Sequence, residues 1–124
     1  MTKDQAIQSF WSSFGLMAYE ENSVPDNAEM PYITYEVSTA SFEHELPVSA
    51  SIWYRDTSWV AITNKAEQIA KRLYKLRGTA LPIEDGRFRI YESDTPLFQR
   101  MADESDGIVK RIVINVMVEF FTNY

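Results

Sequence analysis

Arg111-Ile112-Val113-Ile114-Asn115-Val116-Met117-Val118-Glu119-Phe120-Phe121 is the stretch that decides the fold. Ile112, Ile114, Val116, Val118 and Phe120 recur at every second position, the period of a strand with one buried face. Val113, Met117 and Phe121 give the opposite face partial apolar character. The pattern reaches back to Ile108 and predicts one long strand from Ile108 to Phe121. A strand of that length normally lies inside a sheet, with at least one face covered.

Its partners are written upstream. Tyr32 to Thr39 is rich in β-branched and aromatic residues, with Ile33, Tyr35 and Val37 on one side. Val48 to Arg55 alternates again: Val48, Ala50, Ile52 and Tyr54 point one way, and Ser49, Ser51, Trp53 and Arg55 the other. The polar tip Glu43-His44-Glu45 between them predicts an antiparallel pair. Asp85-Gly86, flanked by Ala80–Glu84 and Arg87–Glu92, is the strongest hairpin signal, with positive φ expected at both turn positions. Leu16 to Tyr19 reads as a short strand. Glu20 to Pro31 and Ser93 to Gly107 read as polar loops.

Two helices complete the pattern. Thr2 and Gln5 have the spacing of a capping box. Ala6, Ile7, Phe10, Trp11 and Phe14 follow at helical spacing, and Gly15 can end the helix, so Lys3 to Phe14 is predicted helical with an aromatic core face. Ser58 can cap a second helix. Its apolar stripe is Trp59, Ile62, Ala66, Ile69, Ala70, Leu73 and Leu76, and Gly78 stops it. Glu67 and Lys71 stand at a favourable i,i+4 spacing. The resulting class is α+β: a mainly antiparallel sheet with both helices packed on one face, in the order α-β-β-β-α-β-β-β. At 124 residues the chain fits one domain, 1–124, without linkers or repeats.

Composition narrows the function. The chain has no cysteine, which removes disulfides, thiolate metal sites and cysteine nucleophiles. No signal-peptide pattern follows the polar start, and no apolar run is long enough to span a bilayer, so a soluble protein made in the cytoplasm is expected. The formal charge is −6, from 18 acidic and 12 basic residues. That balance opposes a role in gripping phosphate backbones. The cluster Lys71, Arg72, Lys75 and Arg77 sits in the last turns of a helix, where cations complement the dipole, and no aromatic interleaving points to a nucleic-acid groove.

Chemistry finds little purchase. His44 is the single histidine, and in a strand its neighbours Glu43 and Glu45 point away from it. Asp103, Glu104 and Asp106 lack the spacing of an EF-hand loop and read as a solvated acidic run. The four glycines stand apart, without a phosphate-cradling motif. The expectation is no catalytic residue, no metal and no cofactor. The competing expectation is a small α+β ligand-binding domain or enzyme with a pocket between helix and sheet, lined by Trp11, Trp53, Trp59 and tyrosines. Deep convergent polar groups would mark it.

Several segments together resemble a known family. Met30-Pro31-Tyr32-Ile33-Thr34-Tyr35, Ala50-Ser51-Ile52-Trp53-Tyr54-Arg55 leading to Ser58-Trp59, Phe98-Gln99-Arg100-Met101-Ala102-Asp103, and the terminal strand Arg111 to Phe121 are similar in order and spacing to the tail terminators of long-tailed bacteriophages. The minor tail, neck, head-completion and minor capsid proteins of phages and prophages are close alternatives. The resemblance implies a virion protein without enzymatic activity. It implies a ring, generally a hexamer, at the head-proximal end of the tail tube, which stops tube growth and joins tail to head. The implied partners are copies of itself, the tail-tube protein and a head-completion or connector protein. DNA would pass through the channel without specific binding, and no membrane is involved. The Ser93–Gly107 segment mixes apolar and charged residues, so Phe98, Arg100, Met101, Asp103, Glu104 and Asp106 are the candidate interface residues.

Overall fold

The computed structural model describes residues 1–37, 44–93, 98–102 and 106–122. Helix α1 runs Lys3–Ser12, and its capping box forms as the sequence spells it: the Thr2 hydroxyl accepts from the Gln5 amide at 3.2 Å while the Gln5 side chain accepts from the Thr2 amide at 2.9 Å. The helix ends two residues before the expected Phe14, and Gly15 turns the chain at φ 80°. Strand β1 (Met17–Glu20) leads through a 3-10 turn at Glu21–Ser23 to β2 (Tyr32–Val37). Then come β3 (Glu45–Arg55), helix α2 (Val60–Lys75), β4 (Leu81–Ile83), β5 (Gly86–Glu92), β6 (Phe98–Ala102) and β7 (Val109–Thr122).

The seven strands form one sheet in the order β1-β2-β3-β7-β5-β4, with β6 also paired to β7. Every pairing is antiparallel except the parallel β1–β2 edge. β7 is the centre, as its alternation predicts. Along it Ile112, Ile114, Val116, Val118 and Phe120 are buried while the residues between them are half-buried. The register places Ile52 opposite Ile112, Ala50 opposite Ile114 and Val48 opposite Val116, so the apolar faces of β3 and β7 coincide. Both helices pack on that face: Ile7, Phe10, Trp11, Ile62, Ile69 and Leu73 belong to the same buried cluster as the strand residues. α1 covers β1 and β2, and α2 covers β3, β7 and β5. The fold class is therefore the one read from the sequence.

Four local expectations are corrected. Ser93 to Gly107 is not one loop, because Phe98–Ala102 is a strand. β5 covers β7 only from Val116 to Thr122, and β6 takes the remaining edge from Lys110 to Ile114. Backbone donors and acceptors along that edge would otherwise lack partners. The hairpin turn is Glu84–Asp85, not Asp85–Gly86, because Ile83 pairs directly with Gly86. Only Asp85 has positive φ, at 58°; Gly86 does not. Gly86 is needed instead for close approach, since a β-carbon there would lie 2.2 Å from the Phe121 carbonyl oxygen. Finally, α2 begins after Trp59, which makes no side-chain cap, while Ser58 sits one residue further out and its hydroxyl accepts from the Val60 amide at 3.1 Å. Glu67 and Lys71 form no ion pair; ion pairs among the described residues include Arg55–Asp106, Arg77–Glu92 and Arg89–Glu119.

Candidate functional site

The described candidate interface residues, Phe98, Arg100, Met101 and Asp106, gather at one end of the sheet, where β6 lies beside the start of α2. Phe98 stands opposite Ile114 on the helix-covered side and packs, partly buried, against the core. Arg100, opposite Ile112, is exposed yet anchored. It donates to the Thr63 hydroxyl at 3.1 Å and its guanidinium lies 5.1 Å from the centre of the Trp59 ring. Met101 lies on the other face and is 42% exposed. Asp106 pairs with Arg55 at 3.1 Å, tying the approach to β7 onto the end of β3. Asp103 and Glu104 lie outside the described residues.

Sequence reasoning missed the member that holds this corner together. Lys110 is buried, on the same side of β7 as Ile112, in a strand whose other inward residues are apolar. Its ammonium donates to the Gly107 carbonyl and lies 5.6 Å from the Trp59 ring. Trp59 thus receives two cations, from β6 and from β7, and clamps both strands to the N-terminus of α2. Cation–π contacts strengthen when water is excluded from them. The one available signal was a lysine at an inward position of the strand period.

Between α2 and β6 lies an open cleft of 260 Å³ lined by Thr63, Ala66, Glu67, Ala70, Phe98, Arg100 and Ile112. The three tryptophans do not share it. Trp11 is fully buried against Phe10 and Phe14. Trp53 is on the opposite face of the sheet, where it donates to the Thr34 hydroxyl at 2.9 Å under the Arg111 guanidinium. Trp59 makes the clamp. The expected aromatic pocket is therefore not assembled. Groups whose pKa is displaced also lie elsewhere: burial raises Tyr35 to about 12 and raises Tyr54, and burial with a hydrogen bond to Glu45 raises Tyr91 to about 12. His44 stands exposed beside Glu119 at 3.9 Å and edge-on to Phe121. No group of three or more His, Asp or Glu residues with metal-binding geometry occurs among the described residues.

One electrostatic feature lies at the β1–β2 edge. Glu21 is held above the ordinary carboxylate range, first by its hydrogen bond to Glu36, then by burial and by the charge of Glu36 and Glu20, with Arg111 opposing. An acid whose folded pKa is raised binds more protons in the folded than in the unfolded chain. Stability therefore falls as pH rises above the unfolded value of 4.5 through the raised one. Glu21→Gln is expected to raise the melting temperature slightly at pH 7 and to leave it unchanged at pH 4. Equal shifts at both pH values would show that the crowding of the two carboxylates is not the cause.

The sequence matches no family model and no curated protein. The fold is similar to that of a chain in a solved structure titled the virion of a native gene transfer agent particle. The TM-score is 0.59 at 14% identity, and the match covers 95% of this chain and 86% of that one. At that identity the likeness is one of fold.

Proposed function

We propose that this chain is a structural, non-enzymatic subunit of a phage-type virion, and that within the virion it is the tail terminator. Copies of it form a ring, expected to be a hexamer, on the last ring of tail-tube protein. The ring stops tube growth and presents the surface on which a head-completion or connector protein docks. The observation that carries the reading is the near full-length likeness to a virion chain. It agrees with the resemblance of the Met30–Tyr35, Ala50–Arg55 and Phe98–Asp103 segments to tail terminators. Those segments lead into β2, end β3 and build β6, respectively.

The corner formed by β6, Trp59 and Asp106 is the proposed contact with neighbouring rings. Phe98 and Arg100 fix β6 on its own subunit, which leaves Met101 as the apolar residue offered outward. An apolar anchor in a charged surround is the usual anatomy of such a patch. DNA crosses the channel unheld, in keeping with the net charge of −6. The test is electron microscopy of the purified chain, alone and mixed with tail tubes. Rings with a central opening that cap one end of each tube are expected. Met101→Glu should leave the rings intact and reduce capping. A chain that neither forms rings nor binds tube ends contradicts the terminator reading.

A further inference from the structure

We propose that the basic face of α2 docks head to tail on the acidic β1–β2 edge of a second copy of this chain. This rests on the ring reading above and names the contact that builds the ring. The charge in this chain is strongly segregated. Between Lys3 and Arg55 there are eight Asp or Glu and no Lys or Arg. Glu21, Asp26, Glu29 and Glu36 are all exposed around the edge made by β1, the 3-10 turn and β2. Residues 60–77 hold five cations and one acid. Lys71, Arg72 and Lys75 are exposed, and none of them has an ion-pair partner among the described residues.

Three further observations fit the two surfaces to each other. β1 ends the strand order, so its outer edge has no strand beside it among the described residues. Covering such an edge with a helix is one way that proteins protect it. Each surface also carries an exposed apolar residue: Met17 at 64% on the edge strand, and Tyr74 at 67% on α2, one helical turn from Lys71. Apolar anchors ringed by charge, with tyrosine prominent, are what interface centres use. Lastly, Glu21 and Glu36 crowd each other in the single chain. A lysine brought by a neighbour relieves that repulsion.

A contact between two different surfaces is heterologous, and it closes into a ring when the rotation per copy allows. Duplex DNA is the other polyanion that a basic helix could meet. The chain as a whole is acidic, and the cations here line an open hollow with Phe14 and Gln68, without the aromatic stacking platform of a nucleic-acid groove, so a protein surface of matching charge is the better occupant.

The test uses sedimentation velocity of the full chain and two double variants, Lys71→Glu with Lys75→Glu, and Glu21→Lys with Asp26→Lys. All four positions are exposed, and unchanged far-UV circular dichroism with a melting temperature no lower than that of wild type verifies the folds. Wild type should self-associate, and more weakly at about 500 mM than at about 50 mM NaCl. Each variant alone should associate on the order of 10-fold more weakly or worse, since attraction becomes like-charge repulsion. An equimolar mixture of the two should recover association, because each then offers what the other lacks. Variants that still form rings would overturn this contact and leave the ring reading standing. Monomeric wild type at every salt concentration would overturn it too, and the ring reading would then be decided on intact particles. Tight duplex binding by wild type that is lost in the lysine variant, with self-association unchanged, would assign the helix to DNA instead.

Discussion

Trp11→Ala is expected to cost about 3–5 kcal/mol of folding stability. Trp11 is among the largest fully buried side chains, and its ring meets Phe10 edge-on at 4.9 Å and Phe14 at 6.4 Å. The loss is large against a total of about 5–15 kcal/mol for a domain, and corresponds to a drop in melting temperature of roughly 10–20 °C. Trp11→Phe should cost much less. The buried indole N–H has no hydrogen-bond partner among the described residues, so losing it removes an unsatisfied donor. Urea unfolding of the three proteins measures both differences. A loss below about 1 kcal/mol for the alanine variant would mean that α1 does not seal the core as described.

The second large effect is at the centre of β7. Ile114→Asp places a carboxylate at a fully buried position between Ala50 and Phe98, within the apolar core. An unpaired buried charge is among the few changes that cost more than about 4–5 kcal/mol, so insoluble or unfolded protein is expected. The neighbouring change Val113→Asp is the control. Val113 is half-buried on the face without helices, and its substitution should leave a folded chain with a modestly lower melting point. Circular dichroism of the two variants reads the result. Equal damage at both positions would contradict the two-faced strand.

What the sequence reveals and what it hides follows from how local each signal is. The capping box at Thr2 and Gln5 spans four residues and needs nothing from elsewhere, so it is legible. The alternation of β7 is legible because one buried face imposes a period of two along its length. β6 is hidden because its cause is remote: Phe98 to Ala102 becomes a strand where β7 is longer than β5 and leaves an edge to fill. The hairpin turn shifts by one residue for a similar reason, since the Phe121 carbonyl, far along the chain, decides which position must be glycine. At the candidate site, the mixed character of Phe98, Arg100 and Met101 is visible in sequence. Which of them turns inward is not, because that depends on Trp59 and Thr63 across the fold. Lys110 shows the same limit, as nothing near it in sequence announces the ring that covers it.

A chain that ends the tail tube and joins it to the head, as proposed, decides both tail length and head attachment. The most direct measurement is electron microscopy of virions assembled with and without the chain. Its absence is expected to yield filled heads separated from tails, with tubes that exceed the normal length, and adding the purified protein before tube overgrowth is expected to restore joined particles. Joined particles with tails of normal length in its absence would contradict the claim. Normal-length, terminated tails beside heads that fail to retain DNA would assign the chain to head completion instead.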